Sequence, residues 1–424
     1  MNSRERVRKT LNHEVPDRIP LDLDATAVTG ISASTYGHLR RALGLESKPV
    51  KVWEPFQMLG EVELDVKEAL GVDVVGTDRL LTAFGFANVN WKPWRPFHGV
   101  DVLVGEGFVT TEAENGDLLV YPGGDLTASP SGRMPKNGFY FDAIVRQEPL
   151  DWDHLNAQEW VRSRFFIYPD FYLEYIQREV DNLYRNTSFS IMGFGFGGSF
   201  GDIAGVPAPG SRAPKGISDP EDWYLVHASH PEFIKEAFDL ECEIALKNLD
   251  LYREAVGDKI DAIFISGTDL GSQRGPIMSP RMYRQLYKPY HQKINDWVHA
   301  NTGWKTFYHC CGSIVALLDD FVEAGVDILN PVQTSAEGMD PVMLREKYGD
   351  KLVFWGGGVD TQRVLPFGTP DEVREDVRRR LEVLGEGGGF VFAAIHNIQH
   401  GVPAENLTAM FETLKECGGR ASHL

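Results

Sequence analysis

The sequence predicts an α/β protein, a (β/α)8 barrel with an N-terminal helical extension and a small β-rich insertion, and three observations carry that expectation. Short apolar β-type runs alternate with longer helical stretches along most of the chain, and eight of the runs qualify as barrel strands. Four of them, IDAIFISG, DILNPV, LVFWGG and FVFAAI, are nearly continuous in apolar residues, as strands buried on both faces must be. No Gly-x-Gly-x-x-Gly follows the first strand, so an open dinucleotide-binding sheet is not favoured. Residues 1–424 read as one barrel domain, with the insertion over residues 84–151 inside it.

In order, Arg4–Leu11 reads as a short helix with Asn2 or Ser3 as its cap, and Pro16 stops it. The expected strands are Arg18–Asp24, Val72–Thr77, Ser188–Gly195, Ile260–Gly267, Lys305–Cys311, Asp327–Val332, Leu352–Gly357 and Gly389–Ile395. Ser279-Pro280 opens one long amphipathic helix to about Ala300, Thr369-Pro370 another to about Leu384, and Pro403-Ala404 the last. The insertion contains β runs Val100–Val104, Gly107–Thr111 and Leu118–Tyr121. Asn115-Gly116 supplies a hairpin turn, because both residues tolerate the positive φ it demands. Gly356-Gly357-Gly358 and Gly387-Gly388-Gly389 lack a following Lys-Ser or Lys-Thr and read as turns, not phosphate loops.

Composition narrows the function. A formal net charge of −19 argues against nucleic-acid binding, which needs concentrated Lys and Arg. No apolar run of about 18 residues offers a membrane span, and no apolar stretch follows the N-terminal charges as a secretory signal would require. Cys242, Cys310, Cys311 and Cys417 are too few for a disulfide scaffold. A soluble, cytoplasmic enzyme is expected.

The chemistry gathers at Phe307-Tyr308-His309-Cys310-Cys311-Gly312. Alternation on a strand sends His309 and Cys311 to one face and Cys310 to the other, and an imidazole beside a thiolate begins a zinc site. The last strand delivers His396, Asn397 and Gln399 to the same mouth, where His396 is the candidate third ligand and His400 the alternative. Three protein ligands with one open position are the pattern of a catalytic zinc. Other polar groups follow strands: Asp22 and Asp24 the first, Asp78 the second, Asp269 and Gln273 the fourth, Gln333 the sixth and Asp360 the seventh. Asp269 and Gln333 are the catalytic candidates, and Asp22, Asp78, Gln273 and Asn397 the substrate-binding ones. The competing reading of each is a helix cap or a turn. Trp53, Trp91, Trp94 and Trp355 read as packing.

These residues resemble the uroporphyrinogen decarboxylase superfamily, and within it the cobalamin-dependent methyltransferase branch. The resemblance runs through RERVRKTLNHEVPDRIPLDLD, GTDLGSQRGPIMSPRMYRQLYKPYHQKI, YHCCGSIVALLDDFVEAGVDILNPVQ, VFWGGGVDTQRVLPFGTPDEVREDV and FVFAAIHNIQHGVPAENLTAMF. It implies a TIM barrel, zinc held by a His-x-Cys pair plus a later Cys, and methyl transfer between a small methylated compound and a corrinoid protein. His309 and Cys311 match the pair, and His396 falls where the later Cys would stand. A methoxylated aromatic is the implied substrate, cobalamin is supplied by the partner, and a homodimer is compatible with the family. The alternative is a cofactor-free decarboxylase. Against it, IPLDLDATAVTG is acidic and lacks the arginines with which such decarboxylases receive a polyanion.

Overall fold

The computed structural model describes residues 1–421 apart from Asp78 and Phe196. Among the described residues, seven strands form one parallel sheet in chain order: β1 (Val74–Gly76), β2 (Ser190–Phe194), β3 (Ala262–Ser266), β4 (Lys305–His309), β5 (Ile328–Asn330), β6 (Val353–Trp355) and β7 (Phe390–Val391). Each lies within one of the expected strands, and the registers are parallel throughout, with Phe264 opposite Phe307 and His309 opposite Asn330. β3, β5, β6 and β7 are buried along their whole length, which is why their sequences read as nearly continuous apolar runs.

The first expected strand is a correction. Of Arg18–Asp24, only Leu21 bridges, in parallel with Phe392 beyond β7. Pro20 has no N–H to donate to a ladder. Leu21 N–H goes to the Asp73 carboxylate at 2.9 Å, while Leu21 C=O accepts Asp73 N–H at 2.8 Å. Leu21 thereby stands between the two edges of the sheet. Buried Asp73 also receives Arg6 and Arg18, both at 2.7 Å, so the N-terminal segment is pinned by charge as well as by backbone.

Helix Ser3–Leu11 starts at Asn2 with a capping box: Asn2 accepts from Glu5 N–H, and the Glu5 carboxylate accepts from Asn2 N–H. Its Val7 and Leu11 pack with Val74, Met192, Ala262, Phe307 and Ile328 inside the sheet's curl. The long helix expected from Ser279 to Ala300 is two, Pro280–Leu286 and Lys288–Asn301. Pro289 lacks the N–H that would continue the ladder, so the axis breaks at Tyr287. Helices Pro370–Leu384 and Ala404–Ala421 begin where the Thr369 and Pro403 signals place them.

The β-rich region is more widely sourced than residues 84–151 suggested. Val102–Val104 pairs with Lys92–Pro93 and also, in parallel, with Val50–Glu54, which itself pairs with Leu59–Gly60. A second antiparallel sheet runs Thr110–Glu112, Leu118–Val120, Gly132–Met134, Asp142–Ala143. Its first hairpin turns at Gly116, whose φ of +84° favours glycine. No helix among the described residues is long and apolar enough to cross a membrane.

Candidate metal centre

β4 ends at His309, and the chain then carries Cys310 and Cys311 into the mouth of the sheet. The side chains alternate. Buried Cys310 turns away, its sulfur 3.2 Å from Leu270 N–H as an acceptor, while Cys311 Sγ stands 3.2 Å from His309 Nε2. His396, five residues past β7, brings its ring to 5.4 Å from that of His309. One ligand atom each from His309, Cys311 and His396 all lie within 4.8 Å of one another. Around a tetrahedral zinc such atoms are ~3.5 Å apart, so the three are close to a coordination shell.

Hydrogen bonding fixes which histidine nitrogen faces the cluster. Asn330, at the end of β5, donates its Nδ2 to Trp355 C=O at 2.9 Å, which leaves Oδ1 to accept from His309 Nδ1–H at 2.6 Å. With Nδ1 protonated, His309 Nε2 carries the lone pair toward Cys311. Burial, with His309 adding a little, pushes His396 down to about 3, so its ring stays neutral. Burial also pushes the Cys311 thiol well above its ordinary range, and Asp269 adds to it. A thiol so placed ionises when a cation arrives, because the metal compensates the charge that burial penalises. The nitrogen–sulfur–nitrogen donor set, two imidazoles and one thiol, fits zinc.

Two expected catalytic residues brace this centre. Asp269 Oδ1 accepts Cys311 N–H at 2.6 Å and lies 3.8 Å from His309 Nε2. Gln333 Oε1 accepts Gly312 N–H at 2.8 Å. Between them they hold the turn that presents Cys311.

The expected substrate contacts are placed differently. Buried Asp22 accepts from Trp355 Nε1 at 2.8 Å and from Ala25 N–H at 3.0 Å, and burial pushes it up to about 6. Asn397 ties three segments together: it accepts from Gly30 N–H and donates to Ala27 C=O and Gln57 Oε1. Gln273 is exposed, its backbone carbonyl accepting from Glu337 N–H. Asp78 lies outside the described residues. His400, the alternative ligand, hydrogen-bonds Ser34 at 2.9 Å and stacks on His98, apart from the cluster. Asp24 accepts from Trp53 Nε1 and Arg79, and Asp360 from Gln362 and Arg363 N–H as a turn.

Sequence reasoning passed over Asn330; Trp53, read as packing, is buried, and it also borders a small cavity. Trp53, Thr77, Met192, Phe194 and Phe264, with residues 25–27, line a cavity of about 40 Å³ among strand ends. Phe264 stacks on Phe194 at 5.6 Å and on Phe307 at 5.4 Å, and Phe307 lies two residues before His309 on the same face. The only advance signal for Asn330 was a polar residue closing the apolar run DIL.

A curled parallel α/β sheet with a His–Cys–His cluster past its strand ends defines the class. The family model described as Uroporphyrinogen decarboxylase (URO-D) matches residues 216–417, from before β3 to the last helix. Uroporphyrinogen decarboxylase of a Synechocystis species is 23% identical over 289 residues, covering 67% of this chain and 75% of that protein. The methylcobamide:CoM methyltransferase MtaA of Methanosarcina barkeri is 27% identical over 170 residues, 38% of this chain and 46% of that one. A methyltransferase structure from Methanosarcina mazei superposes over 98% of this chain and 99% of its own, with a TM-score of 0.53 at 17% identity, a likeness of fold. Over residues 216–417 the chain is thus similar to the uroporphyrinogen decarboxylase family.

Proposed function

We propose that this protein is a (β/α)8-barrel methyltransferase that moves a methyl group between a small methylated compound, a methoxylated aromatic above all, and a corrinoid carried by a separate protein. The observation that carries the reading is the convergence of His309, Cys311 and His396, a set a cofactor-free decarboxylase does not need. The family relatives support it, since one bears the name of a methylcobamide methyltransferase.

Zinc, when bound, supplies a Lewis acid that polarises the ether oxygen and stabilises charge developing there. His309, oriented by Asn330, and neutral His396 offer lone pairs; Cys311 offers a thiolate. An imidazole in place of a second thiolate leaves the ion less neutralised and so more electrophilic. Asp269 orients the substrate beside Cys311, and Gln333 keeps the Gly312 turn in place. Asp22, Gln273 and Asn397 shape the surrounding mouth. The reverse direction, from a methylated corrinoid to a thiol, uses the same groups.

The test is zinc content together with methyl transfer. Incubated with a reduced corrinoid protein and methoxylated aromatics, the zinc-loaded protein is expected to change the corrinoid spectrum to that of the methylated form. Absence of both zinc and transfer overturns the reading. The family match over residues 216–417 favours a second one, decarboxylation of a carboxylated tetrapyrrole, and consumption of uroporphyrinogen at a useful rate would establish it instead.

A further inference from the structure

A cavity of about 190 Å³ opens between the two β-rich sheets, outside the metal centre. Residues 94–98, which follow strand Lys92–Pro93, form one wall, and the turn after Gly132–Met134 forms the other. Its apolar floor comes from strand pairing: Leu118 stands opposite Met134 in the hairpin register, both are buried, and buried Phe97 joins them from the first sheet. Trp94 fixes the spacing of the sheets. Its Nε1–H donates to Thr110 Oγ1 at 3.3 Å, and its ring meets that of Phe108 edge to face at 5.3 Å. His98 ties the two walls together, Nε2–H donating to Gly138 C=O at 3.0 Å. Both walls turn through left-handed residues that are not glycine, His98 at a φ of +48° and Asn137 at +65°. Such backbone is held by its surroundings and recurs where chains clamp ligands.

The charged side chains that line the cavity are Arg95 and Lys136, and among the described residues no carboxylate lines it, in a chain whose net charge is −19. Neither cation forms an ion pair among the described residues; Arg95 has only the face of Trp94, 5.7 Å from the ring centroid. Asp117, on the hairpin beside Lys136, is already committed. Arg133 Nε stands 3.2 Å from its carboxylate, which also accepts Lys136 N–H and Asn115 Nδ2–H, each at 2.9 Å. The stem of Lys136 passes over Gly116, where a Cβ would lie 3.0 Å from Lys136 Cδ, so the glycine of the hairpin turn makes room for it.

We propose that this cavity binds a small aromatic carboxylate of benzoate size, its ring over Phe97, Leu118 and Met134 and its carboxylate toward Arg95 and Lys136. Volume decides the size: an apolar cavity of about 150 Å³ takes benzene, and this one has room for a carboxylate besides. Charge decides the sign, because two cations with no facing acid offer charge-assisted hydrogen bonds to an anion and repel a cation. The buried floor decides against an inorganic anion, which would engage the cations and leave the apolar surface wet. The site stands independently of the methyl-transfer reading. Its walls touch the metal loop at one point, where His98 stacks at 3.9 Å on His400, four residues past His396.

The probe is 4-fluorobenzoate, followed by fluorine NMR on the full-length protein, and saturable binding is expected. Arg95→Gln combined with Lys136→Gln, both at exposed positions, should weaken it at least ~10-fold. Added salt should weaken it as well. 4-Fluorobenzamide, of the same shape without the charge, should bind at least ~10-fold more weakly than the carboxylate. Cys311→Ala, altered only at the metal centre, should bind the probe as the wild type does. No saturable binding, equal binding of the amide, or undiminished binding by the double variant overturns the proposal. Loss of binding in Cys311→Ala overturns it too, by placing the probe at the metal centre. So does displacement of the probe by an equal concentration of inorganic phosphate, which assigns the cavity to simple anions. None of these outcomes bears on methyl transfer.

Discussion

His309 and His396 meet at the barrel mouth with ring centroids 5.4 Å apart and planes crossed at 69°, whereas His98 and His400, at the rim beside the β-rich region, lie stacked at 3.9 Å and 28°. Crossed rings can direct two lone pairs at one point between them. Stacked rings direct theirs side by side, and here His400 Nδ1 hydrogen-bonds Ser34 while His98 Nε2–H donates to Gly138 C=O. The first pair also has a sulfur within 3.2 Å. Proximity of histidines therefore does not make a metal site; the orientation of their free nitrogens does, and for His309 that orientation comes from the Asn330 hydrogen bond on the far side of its ring.

The sharpest way to break this contrast is to remove the sulfur. Cys311→Ala is expected to take zinc from about one per chain to almost none, with His309→Ala close behind. Cys310→Ala should keep its metal, because that thiol faces Leu270. Equal loss from Cys310→Ala by elemental analysis would contradict the alternation on which the site is built.

A third histidine environment sharpens the comparison from the side of the fold. Buried His227 donates Nδ1–H to Trp223 C=O and accepts from Tyr287 OH, and burial pushes it down to about 4. The unfolded chain therefore takes up this proton first as pH falls. The stability contributed by neutral His227 is full above about pH 6.5 and is lost as pH drops from there toward about 4, to the extent of ~3 kcal/mol. Comparing urea midpoints of wild type and His227→Gln across this range cancels the other titrating groups. A difference that does not change with pH would show that His227 is not held neutral.

A smaller effect is expected behind the ligands. Asn330→Ala removes the acceptor that fixes His309 and should weaken zinc binding ~10–100-fold, measurable by competition with a chelator, while Asn330→Asp keeps an acceptor and should retain most of the affinity. The smallest effect belongs to the stacked pair. His400→Phe preserves the ring contact and should leave zinc content unchanged and stability within ~1 kcal/mol. Loss of zinc from that variant would bring His400 back into the ligand set.

Much of this architecture is written locally. Asn2 with Glu5, Thr369 with Glu372 and the apolar runs of β3, β5, β6 and β7 identify themselves, because a capping box or a doubly buried strand involves residues only a few positions apart or one uniform environment. The centre was legible for the same reason: His309 and Cys311 are neighbours on one strand face. The first strand misread because Pro20 and the side chain of Asp73, 53 residues apart, take over its ladder. Val50–Glu54 gave no hint that its parallel partner would be Val102–Val104.

By itself, then, the order of residues determined the alternating elements, most helix starts and the nearness of His309 to Cys311. Tertiary structure alone decided that Asn330 would set the His309 tautomer, that Asn397 would spend its amide inside the protein, and that Asp269 would hold the Cys311 N–H. The physical reason is distance along the chain. Periodicity and capping act over a few residues, whereas a hydrogen-bond partner or a carboxyl's electrostatic surroundings arrive from strands and loops tens to hundreds of residues away, and only the folded packing brings them together.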